Sequence, residues 1–372
     1  MRYTGAKDMC PKFHRHSIFC ILPPHILREI AKNSDDKKQR EQALNTLGLD
    51  ATSRTNRINE QFMAMNVARP LMTATPTAQR SIYTAGNGTD LPGRLVRAEG
   101  GTASKDVEAD EAYDGLGATF NFYLQVMHRV SIDGQGLPLN ATVHYDNAYD
   151  NAFWNAEQMV FGDGDGKLFN RFTISLDVIG HELTHGVTGS TAKLVYMGQP
   201  GALNESISDV FGSMIKQYKN NQAAADADWL IGAGLLTNQV NGKALRSMSA
   251  PGTAYNDPIL GRDPQPDNMS KYVNTKSDNG GVHINSGIPN RAFYLVASAL
   301  KGYSWDKAGQ IWYSTLRDAN LRTTATFSDF AKLTVINAGH LYGSASAEVK
   351  AVEEAWKTVG VSIKPLTRAA GG

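Results

Sequence analysis

Two histidines four residues apart, in His181-Glu182-Leu183-Thr184-His185, are the residues of this chain best placed to do chemistry. At about 100° per residue, helical positions i and i+4 lie only about 40° apart, so both imidazoles face one way. Two neutral imidazoles so placed can supply two of the four tetrahedral ligands of a zinc ion. Glu182 sits at the edge of the same face, where it can reach a metal-bound water without ligating the metal. The pentapeptide alone arises by chance in on the order of 1 in 100 chains of this length, so it needs support. A catalytic zinc wants a third protein ligand and one open position. A third histidine six residues after His185, with glycine midway, is excluded, because Thr191 and Thr188 hold those positions. Glu205, 20 residues beyond His185, is the better third ligand. His181, His185 and Glu205 then form a two-histidine, one-carboxylate site with room for water. Asp209, one turn after Glu205, is placed to orient a histidine through its other ring nitrogen.

These side chains need supporting elements. Ile174, Leu176, Val178, Ile179 and Leu183 predict a buried or half-buried helix over about Thr173–Gly189. Before it, strand-like runs at Ser81–Tyr83, Thr142–Tyr145 and Gln158–Phe161 are interrupted by one amphipathic helix, about Val107 to Val130. After it, helical periodicity dominates, at Ala202–Tyr218, Pro289–Leu300, Trp305–Leu321, Ser328–Leu341 and Ala347–Val359. Strands first and helices later predict an α+β fold in two lobes. The Gly162-Asp163-Gly164-Asp165-Gly166 run lacks the downstream glutamate of an EF-hand and reads as a tight hairpin. The start of the chain has a different character. His25–Ala31 and Asp35–Leu47 predict short helices, the second with Ser34 as N-cap, and Arg69–Thr77 reads as an extended linker. The expected divisions are an appendage at 1–70, a strand-rich lobe at 71–190 and a helical lobe at 191–372.

Composition narrows the function classes. With 37 Lys+Arg against 36 Asp+Glu in 372 residues, the chain lacks the basic excess of nucleic-acid and membrane-surface proteins. No run approaches the ~20 apolar residues of a membrane span. Ile18–Leu22 falls short of the roughly 7–15 apolar residues of a secretory signal. The reading is a soluble chain, cytoplasmic or released by a non-classical route. Its two cysteines, Cys10 and Cys20, cannot make a disulfide scaffold.

Asn204–Asp209 together with His181–His185 resembles the thermolysin-like zinc metallopeptidases. So does Tyr149-Asp150-Asn151-Ala152-Phe153-Trp154-Asn155, followed by Gly162–Gly166, and so does Ser277–Gly287. The resemblance runs from about Gln79 to the C-terminus and implies a two-lobed fold with the active-site helix between the lobes. It implies that His181, His185 and Glu205 bind one catalytic zinc and that Glu182 is the general base. By the same resemblance Tyr196 and His283 stabilise the oxyanion, with Asp278 holding His283. Asn151, Ala152 and Arg246 match positions that bind substrate backbone. Phe169, Val178 and Leu245 match a pocket for an apolar side chain after the scissile bond. The implied protein is a monomeric endopeptidase acting on polypeptides. A zinc aminopeptidase shares H-E-x-x-H and the downstream glutamate but not the motifs around Asn151 and His283.

Two departures carry expectations of their own. Thermolysin holds a pair of calcium ions with a cluster of acids; here Asp177 is kept, but Lys216, Leu230 and Ala233 stand at other positions of the cluster. An Asp177–Lys216 ion pair in place of the double calcium site is expected. The N-terminal segment resembles the short precursor segment of the protealysin-like group, with Leu22-Pro23-Pro24-His25-Ile26 as its Pro-Pro motif and His25 where an apolar residue is expected. That resemblance implies an intramolecular inhibitor that blocks the cleft until cleavage within about Ser53–Thr77. Cys20 is read as a small buried thiol rather than as a zinc thiolate.

Overall fold

The computed structural model describes residues 19–48 and 77–363. Cys10, residues 53–76 of the expected cleavage region, nearly all of the linker and the boundary at 70 lie outside the described residues. The strand-rich part is one mixed sheet of six strands. They are β1 (Phe19–Cys20), β2 (Arg80–Thr84), β3 (Arg94–Ala98), β4 (Leu139–Val143), β5 (Ala152–Trp154) and β6 (Gln158–Phe161). Their order across the sheet is β1-β5-β6-β4-β2-β3. The central β4 runs parallel to both neighbours, while β5–β6, β2–β3 and β1–β5 are antiparallel. Nearly every residue of β4 and β6 is buried, as expected of parallel strands covered on both faces.

Helices α1 (Pro24–Asn33) and α2 (37–48) follow β1, and α3 (Val107–Gln125) lies between β3 and β4. Proline at the first turn of α1 costs nothing, because that position has no intrahelical N–H partner to lose. Asp36, not Ser34, caps α2. Its Oδ1 accepts the Lys38 N–H at 2.8 Å, while the Ser34 hydroxyl donates to Gln39 at 2.7 Å. Ile26, Leu27 and Ile30 bury one face of α1 in the main apolar core, so this segment packs on the rest of the protein.

Two other expectations are corrected. β4 stops at Val143 because His144 takes a left-handed φ of 55°. There its ring is held between Asp163 at 2.9 Å and Asp106 at 3.0 Å. The Gly162–Gly166 run is not a hairpin. Asp165 Oδ1 accepts the N–H groups of Lys167, Leu168 and Phe169 at 2.7–3.0 Å, and Phe169 then bridges to Leu236 instead of returning along β6.

Helix α4 (Leu176–Ser190) crosses α5 (Gly198–Lys219) at small residues. A Cβ on Gly212 would lie 2.3 Å from the Asp177 carbonyl oxygen, and one on Gly180 would lie 3.1 Å from the Gly212 Cα. The two backbones approach this closely only because both positions are glycine. The rest of the helical part is α6 (Asp278–Asn285), α7 (Gly287–Leu300), α8 (Ala308–Leu316), α9 (Phe327–Tyr342) and α10 (Ala347–Thr358). They enclose a core centred on stacked Trp312 and Trp356. α8 is shorter than Trp305–Leu321; the chain turns out of it where the Asp318 carboxylate accepts the Asn320 N–H. Among the described residues no helix is long and apolar enough to cross a membrane.

Candidate metal centre and active site

The close α4–α5 crossing brings Glu205 against the histidine pair. His181, Glu182, His185 and Glu205 are all buried. The two Nε2 atoms are 3.0 Å apart. Glu205 Oε2 lies 3.5 Å from His181 Nε2, and Oε1 lies 3.5 Å from His185 Nε2. The outer ring nitrogens are held from behind: His181 Nδ1 is 2.8 Å from Asp209 Oδ1, and His185 Nδ1 is 2.8 Å from Asn204 Oδ1. With Nδ1–H donated to these oxygens, the neutral form of each imidazole has its Nε2 lone pair free for a metal. Glu205 Oε2 has no hydrogen-bond partner among the described residues. Two imidazole nitrogens and a buried carboxylate oxygen, all within 4.8 Å of one another, fit the donor set and spacing of a zinc ion.

The neighbouring groups converge on the same spot. Glu182 Oε2 accepts the Trp154 N–H of β5 at 3.2 Å. The Tyr196 hydroxyl donates to Glu205 Oε1 and lies 3.4 Å from His283 Nε2. Asp278 through Gly281 all have left-handed φ angles, which two glycines make affordable. This coil turns the Asp278 carboxylate back onto His283, 2.6 Å from Nδ1 and accepting the backbone N–H at 2.9 Å. His283 is therefore held with Nε2 facing the cleft.

Arg246 closes the network. It donates twice to Asp209, from Nε and Nη2, at 2.8 Å each. Burial pushes the Asp209 carboxyl up, but Arg246 and His181 outweigh it and hold the pKa at about 2. Burial likewise opposes the Arg246 charge, and Asp209 more than restores it, leaving its pKa above the ordinary value. Both groups therefore stay ionised, and the Asp209 carboxylate is held in place behind His181.

Across the cleft lies the chain's own N-terminal strand. Phe19 and Cys20 pair with Trp154 and Phe153 of β5. The Ile21 N–H donates to Ala152 O at 3.1 Å, and the Leu22 N–H donates to Asn151 Oδ1 at 3.0 Å. Arg246 Nη1 donates to Ile21 O at 3.1 Å, and His283 Nε2 lies 3.2 Å from Cys20 O. Asn151, Ala152, Arg246 and His283 thus all meet peptide backbone. Phe169, Val178 and Leu245 are buried in the apolar cluster that also contains Ile21 and Leu22. The Cys20 side chain packs with Tyr149, Phe153 and Val160. His25 is accommodated where an apolar residue was expected because its Nε2 hydrogen-bonds the Tyr255 hydroxyl at 2.8 Å. Burial lowers its pKa to about 4.

Away from the cleft, Lys216 Nζ lies 2.8 Å from Asp177 Oδ2, 2.9 Å from Asp228 Oδ1 and 2.8 Å from Leu230 O. The expected ion pair is present, and Leu230 joins it through its carbonyl. Three supporting residues were not assigned roles from the sequence. Asn204 and Ser208, i and i+4 around Glu205, both face His185 Nδ1, a spacing that was readable. Asn290, which donates to Asp209 Oδ2 at 2.8 Å, comes from 81 residues away and leaves no local signal.

The family model for the thermolysin metallopeptidase catalytic domain matches residues 40–189, and that for its alpha-helical domain matches residues 192–361. The chain belongs to the thermolysin metallopeptidase family. This thermolysin-like metallopeptidase is 52% identical over 350 residues to an "Extracellular metalloprotease" of Pectobacterium carotovorum subsp. carotovorum, covering 93% of this chain and 97% of that one. It is 43% identical over 289 residues to a thermolysin of Alicyclobacillus acidocaldarius subsp. acidocaldarius, 75% of this chain and half of the other. Among solved structures it superposes on the precursor of protealysin, a metalloproteinase from Serratia proteamaculans, with a TM-score of 0.84. That pair is 53% identical, covering 92% of this chain and 100% of that chain. The thermolysin-like chain is therefore a zinc metalloendopeptidase by family, with an α+β fold, and His181, His185 and Glu205 form a group able to hold its metal.

Proposed function

We propose that this chain is the latent precursor of a zinc endopeptidase that cuts polypeptides before apolar residues. The observation that carries this reading is the meeting of His181, His185, Glu205 and Glu182 at one buried point beside a strand edge that holds extended peptide. Zinc held by His181, His185 and Glu205 would polarise the scissile carbonyl and make its bound water a nucleophile near neutral pH. Glu182 takes the proton of the attacking water and delivers it to the leaving amine. Tyr196 and His283 stabilise the charge developing on the carbonyl oxygen, and Asp278 holds His283 in place. Asn151, Ala152 and Arg246 align the backbone, while Phe169, Val178 and Leu245 line the pocket for the apolar side chain after the cut. Asp209 fixes His181 and Arg246 together.

Residues 1–70 act as the inhibitor, the lobes at 71–190 and 191–372 form the catalytic unit, and the mature enzyme is a monomer. The Asp177–Lys216 pair replaces the double calcium site, so stability does not depend on that calcium. The enzyme works outside the cell, as the name of the Pectobacterium relative says of that protein. Casein hydrolysis by a processed sample, abolished by Glu182→Gln and by 1,10-phenanthroline and restored by added zinc, is the expected result. No hydrolysis after confirmed removal of the N-terminal segment would overturn the reading.

A further inference from the structure

The geometry points to the Cys20–Ile21 peptide bond as a substrate of the enzyme that contains it. The inference rests on the proposed proteolytic function and goes further, by naming one bond. A bare antiparallel pairing would leave the register open, because any extended peptide can add to a strand edge. Four contacts close it. The acyl oxygen, Cys20 O, faces His283 Nε2 at 3.2 Å, with the Tyr196 hydroxyl 3.4 Å from that nitrogen. The leaving side is held at three successive groups: Ile21 N–H by Ala152 O, Ile21 O by Arg246, and Leu22 N–H by Asn151. Glu182 accepts the N–H of Trp154, one residue along β5 from the Phe153 that pairs with Cys20. Trp154 pairs with Phe19, so the general base sits on the acyl side of the bond, one residue before Cys20. Ile21, an apolar residue, follows that bond and is fully buried.

The chemistry is a hydrolysis that consumes one water. Its oxygen adds to the Cys20 carbonyl carbon, the C–N bond breaks with its electron pair going to the Ile21 nitrogen, and Glu182 carries the proton to that nitrogen. The second proton of the water follows to the same nitrogen, so the products are a Cys20 carboxylate and a protonated Ile21 amine. Leu22 stays bound to Asn151 and α1 stays in the core after the cut, since neither contact involves the broken bond. The cut chain therefore remains inhibited until the rest of the segment leaves.

The test uses the full-length chain loaded with zinc, followed by intact mass spectrometry and N-terminal sequencing. A fragment beginning at Ile21 should appear at a rate independent of protein concentration, and Glu182→Gln should not produce it. A fragment beginning at Cys20 or Leu22 instead would overturn the register. So would an uncut Cys20–Ile21 bond in a preparation that, once processed, hydrolyses casein; loss of casein hydrolysis as well would overturn both readings. A second readout needs no turnover. In the zinc-free full chain the Ile21 and Leu22 amides should be protected from hydrogen exchange, and Ile21→Asp should raise their exchange about tenfold or more, since a buried carboxylate disfavours docking. Exchange at the rate of an unstructured peptide in the parent chain would refute the inference.

Discussion

Replacing Lys216 with methionine keeps the aliphatic stem and removes the charge that sits on Asp177. The Asp177 side chain is 1% exposed and that of Lys216 14%, so the pair is nearly dry. Without the ammonium, Asp177 keeps the Gly232 N–H at 3.1 Å on Oδ1. Its other oxygen would be left buried with no cation beside it. Removing one partner of a buried pair costs about 3–5 kcal/mol. Because Lys216 also reaches Asp228, which is 46% exposed and close to water, roughly 2–4 kcal/mol is the better figure here. Unfolding entropy near ~2.1 cal/mol/K per residue gives ~0.8 kcal/mol/K for 372 residues, so the melting temperature should fall by roughly 3–5 °C. Adding Asp177→Asn to Lys216→Met should recover most of the loss, because an amide is far cheaper to bury alone than a carboxylate. Calorimetry at pH 7, with zinc kept saturating and calcium varied, reads both effects. The parent chain should melt at the same temperature with and without calcium. A Lys216→Met shift below about 1 °C would refute the energetic argument. A calcium-specific rise of several degrees in the parent chain would refute the idea that the ion pair replaces the ion.

Two further outcomes follow from the electrostatics. Asp163 raises the pKa of His144 to about 9, against burial and with help from Asp106. A folded value above the unfolded ~6.5 means this contribution, about 1–3 kcal/mol, is complete below pH ~6.5 and disappears as pH rises through 9. His144→Gln should therefore melt roughly 1–4 °C below the parent at pH 6 and alongside it at pH 10; an equal deficit at both would exclude the mechanism. Asp209→Asn should weaken zinc binding by roughly 10–100-fold in a chelator competition, because His181 loses a carboxylate behind Nδ1. An affinity within twofold of the parent, in a variant of unchanged circular dichroism, would remove Asp209 from its positioning role.

How much of this was legible in the sequence depended on how local each feature is. His181 and His185 share a face because helical period alone puts them there, and Glu205 with Asp209 repeats the same i, i+4 logic one helix later. The lobes, the α4 helix and most of α9 and α10 follow from apolar periodicity in the same way. Errors fell where a side chain overrode local preference. His144 ends β4 because two carboxylates hold it in a left-handed conformation. Asp165 folds a glycine-rich run into a capped loop, since one carboxylate oxygen can serve three consecutive N–H groups.

By itself the sequence determined the donor types, their helical faces and the charge reversal at Lys216. Each is a property of residue identity and short spacing. The tertiary structure decided the rest: that α4 and α5 approach closely enough at Gly180 and Gly212 for Glu205 to complete the donor set. It decided too that Asn290 and Arg246 converge on Asp209, and that residues 20–22 lie along β5 in one register. Those contacts join segments up to 263 residues apart, as between Cys20 and His283. Strand register and helix approach are set by how the whole core packs, and local periodicity carries no record of that.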